Sequence, residues 1–156
     1  MKKSEITIRP ARREDAPIVA QVVALAIGDE EALHDYCGEK YLDVLTEVAV
    51  ADNTQYSWHF AIVAEMDGRA VGGVVGYDGA QLHELREGTF KVLREKIGRV
   101  PHIDDETEAG EYYLDSVAVW PEYRGLGVGA TLVNAFCKRA FTEGAERVGL
   151  IVEVKN

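Results

Sequence analysis

Leu114-Asp115-Ser116-Val117-Ala118-Val119-Trp120-Pro121-Glu122-Tyr123-Arg124-Gly125-Leu126-Gly127-Val128-Gly129-Ala130 joins three different patterns. An apolar run, Glu111 to Val119, reads as a strand, and Pro121-Glu122-Tyr123 as a short turn. Three glycines in five residues then open an amphipathic helix from about Ala130 to Glu143, with Leu132, Val133, Phe136 and Ala140 inward. A helix N-terminus offers unpaired backbone N–H groups and partial positive charge. Glycines let a phosphate approach those groups, and Arg124 adds a permanent charge at the rim. The implied chemistry is binding of a phosphate or pyrophosphate. The structural reading, a tight turn that packs helix on sheet, stands beside it.

Outward from that stretch, strands and helices alternate. Glu5 to Arg9 alternates and predicts a short first strand. Asp15 as N-cap with Pro17 in the first turn predicts a helix to about Ile27, stopped by Gly28. A second helical stretch, residues 31–50, is interrupted by Gly38. Trp58–Ala64 and Ala70–Tyr77 form a hairpin around Met66-Asp67-Gly68-Arg69. Gly72, Gly73 and Gly76 in its second strand predict a bulge or a close backbone approach. Leu82, Leu85, Thr89, Leu93 and Ile97 share a helical face that ends at Gly98. Residues 99–110 read as a loop, and Arg147 to Val154 as a last strand. The order β-α-α-β-β-α-β-α-β predicts a mixed sheet with helices on its faces.

The 156 residues suffice for one domain. Apolar residues make up 47% and charged residues 28%, a usual globular mix and too apolar for a disordered tail. No apolar run is long enough to span a membrane, and Met1-Lys2-Lys3-Ser4-Glu5 lacks the apolar stretch of a signal peptide. Cys37 and Cys137 cannot build a disulfide framework or a zinc site by themselves, and His34, His59, His83 and His102 lack metal spacing, so no metal is expected. These features fit a reducing cytoplasm. The net charge of −10 carries no basic stripe, which argues against nucleic acid and leaves a cationic small partner.

Among phosphate motifs, the P-loop is excluded because Gly-Lys-Ser/Thr is absent. The dinucleotide fingerprint is met formally by Gly125, Gly127 and Ala130. However, Trp120-Pro121-Glu122-Tyr123 separates it from its strand, and only one helix and one strand follow it. A third pattern fits better. Arg124-x-x-Gly127-x-Gly129, preceded by Leu114-Asp115-Ser116-Val117-Ala118-Val119, resembles the acetyl-CoA pyrophosphate turn of the GNAT acyltransferases. Ile8-Arg9-Pro10-Ala11 with Glu14-Asp15, and the glycine-rich hairpin, are similar to that family in order.

The resemblance implies an α/β (α+β) fold in one domain over residues 4–156: a mixed, mostly antiparallel twisted sheet with helices on both faces. The family's usual C-terminal helix and strands are absent from this sequence. It implies acetyl-CoA as acyl donor, with direct attack of a primary amine on the thioester. Val117 and Val119 would pair with the pantetheine arm. Arg124, Gly125, Leu126, Gly127, Val128, Gly129 and Ala130 would hold the pyrophosphate, and Asn156 would touch the cofactor. Glu111, then Asp115, are candidate bases; with Tyr113 they alternate along one face of the strand. Each also has a structural reading, Glu111 as the end of the acidic loop and Asp115 as a brace for nearby backbone. The general acid is unassigned, because the late tyrosine of the family is missing. Tyr77 and Asp78 lie where the family binds its acceptor. Asp104-Asp105-Glu106-Thr107-Glu108 would attract a cation such as a polyamine, a basic peptide end or an aminoglycoside, or would simply be solvated. The exposed edge of the last strand predicts a homodimer. Other readings are a non-catalytic acyl-CoA-binding module of the same fold and a nucleotide-binding oxidoreductase.

Overall fold

A computed structural model of the chain describes residues 5–151. Strand β1 (Thr7–Pro10) leads through a tight turn into α1 (Ala16–Ile27). Asp15 does not cap α1 with its side chain. Its carboxylate instead accepts the Arg12 N–H (2.7 Å) and pairs with Arg9 (2.7 Å), which also reaches Glu65 (3.1 Å). Gly28 closes α1 in the left-handed region, at φ 72°. The stretch expected as one helix is two, α2 (Glu30–Cys37) and α3 (Tyr41–Val50). Gly38, at φ 81° and ψ −174°, takes a conformation no helix can continue through.

The hairpin strands are β2 (Ala61–Met66) and β3 (Arg69–Asp78). Residues 58–60, expected in the strand, form a single 3₁₀ turn capped by the Ser57 side chain. Asp67 and Gly68 both have positive φ (53° and 76°), as a two-residue hairpin turn of the primed kind requires. Helix α4 (Leu82–Ile97) buries Leu82, Leu85, Thr89 and Leu93, the expected face. Strand β4 (Glu111–Val119) is followed by the glycine turn, α5 (Val128–Thr142) and β5 (Arg147–Gly149). Residues 152–154 of the expected last strand lie outside the described residues.

The sheet order is β1-β2-β3-β4-β5, antiparallel throughout except for the parallel β4–β5 pair. One face packs on α1, α3 and α4 through Val63, Val75, Leu45, Val48 and Leu93. The other packs on α5 through Ile62, Val74, Leu114, Leu132 and Phe136. Full burial of a side chain such as Phe136 contributes about 1.5–3 kcal/mol. Among the described residues no helix is long and apolar enough to cross a membrane.

The glycines of β3 show close approach. A Cβ on Gly72 would meet the Ala118 carbonyl, and one on Gly76 would meet the Tyr113 carbonyl and the Phe136 ring. Beside Gly76 the β3–β4 register shifts: Val75 faces Ser116, Gly76 faces Leu114, and Asp115 is the extra residue. Such a bulge re-aims a side chain and flips the alternation beyond it. Leu114 and Val117, three apart, accordingly pack toward the same α5 face. The expected alternation of Glu111, Tyr113 and Asp115 on one face is therefore broken at Asp115.

Candidate active site

Among the described residues, β4 is hydrogen-bonded to β5 through Glu111–Tyr113, opposite Arg147–Gly149. From Leu114 onward its outer edge is open among the described residues. Which backbone groups face that opening follows from the ladder. Trp120 N–H donates to the Val71 carbonyl (2.8 Å), so residues 120, 118 and 116 turn toward β3. Val117 and Val119 turn outward, and Arg124 Nε already donates to the Val119 carbonyl (3.3 Å). An extended ligand can add here as a strand would.

The opening leads to the glycine turn. Gly125 (φ 80°) and Gly127 (φ 87°) occupy the left-handed region, and a Cβ on either would meet nothing within 4 Å. Glycine is needed at these two positions for backbone conformation, not for space. Gly129 is different: it is helical, and an added Cβ would touch only Val119 Cγ2, at 3.7 Å. The first-turn N–H groups of Val128, Gly129 and Ala130 have no acceptor inside the helix. Thr131 N–H is the first to find one, the Gly127 carbonyl (3.1 Å). No acidic side chain stands in that first turn, so nothing of the chain's own competes for an anion. Arg124 and Leu126 are exposed on the rim.

Asp115, half-buried at the bulge, accepts hydrogen bonds from Tyr77 Oη (3.3 Å) and Ser116 Oγ (3.2 Å). Burial, and secondarily the charge of Glu106, raise its pKa to about 7 despite those two bonds. Tyr77 is buried, receives an N–H from Gln55 Nε2 (3.1 Å), and its own pKa is pushed up by burial. It thus braces Asp115 from the core side rather than lying free for a substrate. Tyr113 Oη donates to Glu106 (2.6 Å), and Tyr36 and Tyr56 share a hydroxyl contact (3.3 Å). Burial first, then the Asp115 carboxylate, raise the Tyr113 pKa as well. These phenols keep their protons and act as donors at neutral pH.

The other sequence candidates fall elsewhere. Glu111 is held by Thr107 Oγ1 (2.6 Å) and Arg147 Nε (3.2 Å), tying β4 to the loop and to β5. Each of its two carboxylate oxygens is thus committed to a structural partner. Asp78 caps the turn after β3 by accepting Ala80 N–H (3.0 Å). Asn156 lies outside the described residues. The acidic loop is partly neutralised: Asp105 pairs with His83 and Arg86 (both 2.8 Å), and Glu108 with Arg147 (3.1 Å). Tyr36, Gln55 and Tyr56 were not singled out from sequence, and Glu106 only as one acid of the loop expected to attract a cation or to be solvated. They lie up to seventy residues apart in three separate segments, and no local spacing links them.

A mixed sheet with an opened parallel pair, leading to a glycine turn at a helix N-terminus, is the architecture of a family of acyl-group transferases. The model of the Acetyltransferase (GNAT) family matches residues 29–156, and the chain belongs to that family. Its structure is similar to the crystal structure of an acetyltransferase, with 29% identity and a TM-score of 0.79 over 94% of this chain and 80% of that one. It is also similar in fold to an N-acetyltransferase from Staphylococcus aureus Mu50: 21% identity, TM-score 0.72, over 85% and 75% of the two chains. A GNAT family acetyltransferase from Brucella melitensis in complex with acetyl-CoA shares the fold at 20% identity and TM-score 0.55, over 96% and 77%. No curated protein sequence matches the chain.

Proposed function

We propose that the chain, as one domain over residues 4–156, transfers the acetyl group of acetyl-CoA to a primary amine of a small cationic molecule. The observation that carries this reading is the layout of β4. Its bulge presents a half-buried carboxylate, Asp115. Its next residues offer outward backbone at Val117 and Val119, and its end runs into the helix N-terminus at Gly127. A pantetheine arm added along that edge has its pyrophosphate at the N–H groups of residues 126–130 and its thioester toward Asp115.

The incoming ammonium gives a proton to the Asp115 carboxylate. The neutral amine attacks the thioester carbonyl, the C–N bond forms and the C–S bond breaks. A second proton leaves the nitrogen and departs with the sulfur as free CoA thiol, and Asp115 releases the first to solvent. The residue chosen differs from the first sequence candidate because Glu111 is committed to Arg147, whereas Asp115 is held near neutrality.

The test is amine-dependent release of CoA thiol from acetyl-CoA by the purified chain, followed with a thiol reagent. A binding module of the same fold would hold acetyl-CoA and show no amine dependence. In parallel, Arg124→Ala is expected to weaken acetyl-CoA binding in calorimetry by ~1–3 kcal/mol, the range of one charge-assisted contact. Unchanged affinity would put the pyrophosphate elsewhere.

A further inference from the structure

The shielded carboxylates of this protein are partnered in two distinct ways. Asp15 and Glu65 share Arg9, Glu111 pairs with Arg147, and Asp78 caps a turn. Glu106 and Asp115 are also half-buried, yet among the described residues neither has a cation. Their partners are hydroxyls: Tyr113 for Glu106, Tyr77 and Ser116 for Asp115. The two carboxylates are held by neighbouring phenols: the rings of Tyr77, on Asp115, and Tyr113, on Glu106, lie 5.8 Å apart centre to centre, and the charge of Glu106 acts on Asp115. Leaving acids shielded without a counter-charge is costly unless something else supplies it.

A second feature of the same cluster points to a ligand. Gln55 is 2% exposed and donates to Tyr77 Oη, while its Oε1 is buried with no partner among the described residues. Protein acceptors thus outnumber donors in this cluster, whose phenol rings pack in pairs, Tyr36 with Tyr56 and Tyr77 with Tyr113. Such an excess of acceptors suits a ligand with positive charge and several N–H donors. The loop that brings Glu106 is itself fixed: Asp105, the preceding residue, is gripped by His83 and Arg86, and Arg86 also reaches the Asp104 carbonyl (3.2 Å). Glu106 is therefore placed rather than left to wander.

We propose that the acceptor carries two ammonium groups, as a diamine or polyamine does, and that Glu106 holds the one that stays charged while the other reacts beside Asp115. This rests on the acetyltransferase reading of the site. A monoamine offers only one charge, which is lost at the moment of attack, and leaves Glu106 uncompensated. A second ammonium keeps Glu106 paired through the whole reaction and fixes the direction in which the acceptor enters.

The test compares acetyl-CoA turnover with 1,n-diaminoalkanes of three to six carbons and with n-alkylamines of the same lengths, in the wild-type chain and in Glu106→Gln. Thiol release is read at pH 8.5, where Asp115 is ionised in both. The amide replacement keeps an oxygen for Tyr113, and calorimetry with acetyl-CoA checks that each chain is folded and loaded. The expected result is a diamine preference in kcat/KM of about tenfold to hundredfold at the best length, the value of one charged contact. In Glu106→Gln that preference shrinks to within about threefold, through KM for the diamine. Monoamines used as well as diamines, or a preference that survives in Glu106→Gln, would overturn the diamine proposal and leave the acetyltransferase reading standing. Acetyl-CoA binding without turnover of any diamine would also overturn it. Failure of the wild-type chain to bind acetyl-CoA would remove the reading beneath it.

Discussion

Asp115→Asn is expected to abolish most turnover and to make the protein more stable. With the base removed, amine-dependent thiol release at pH 8 falls by ~10²–10⁴-fold. Acetyl-CoA affinity is expected to stay the same, because the pyrophosphate and pantetheine contacts proposed above involve residues 117–130. The stability gain follows from the raised pKa, about 7 against an ordinary value of 3.8. Between those two pH values the folded chain holds a proton that the unfolded chain has released. Stability therefore falls as pH rises from about 4 to 7, and the loss is complete above 7. Asparagine has no charge to desolvate, so the variant gains roughly 2–4 kcal/mol above pH 7 and nothing below pH 4. Thermal melts at pH 4 and pH 8 read this directly, as a rise of several degrees at pH 8 alone. The wild-type kcat/KM rises with pH and levels off above about 7. A pH-independent rate, or a variant that keeps its turnover, would remove Asp115 from the chemistry.

Gly129→Asp is expected to close the cofactor site without harming the fold. Gly129 is in helical conformation, and its added Cβ meets only Val119 Cγ2 at ordinary contact distance. An acidic residue in the first turn of a helix is locally favourable, by ~0.3–1 kcal/mol. The same carboxylate occupies the N–H groups that a pyrophosphate would use and repels its charge. Acetyl-CoA affinity should fall by about a hundredfold or more, with an unchanged or slightly higher melting temperature. Near-normal binding would mean that this helix end does not hold the cofactor. Gly127→Ala would be less clean, since φ 87° strains any side chain and confuses a folding effect with a binding effect.

The elements read correctly from sequence are those whose residues answer a local demand. Asp67-Gly68 needs positive φ, Gly28 and Gly98 end helices in the left-handed region, and the Leu82-Leu85-Thr89-Leu93 face has the helical period. The glycine turn belongs with these, because strand, turn and helix are contiguous in the chain. What escaped depends on partners far along it. The bulge at Asp115 forms where β4 lies against Gly76 and Phe136 crowds in, and only the register reveals it. Glu111 reads as the first candidate base until Arg147, thirty-six residues later, claims it. Glu106 reads as one of four acids in a loop that attracts a cation or is solvated, until Tyr113 is seen to reach it. Residues 58–60 have strand-like composition, but Ser57 caps them into a turn.

The central claim is that the open edge of β4 and the N-terminus of α5 receive acetyl-CoA. Calorimetric titration of the 156-residue chain with acetyl-CoA, with NAD as control, tests it most directly. The account predicts one site per chain with micromolar affinity for acetyl-CoA and no measurable heat from NAD. No binding of acetyl-CoA, or equal binding of NAD, would contradict it.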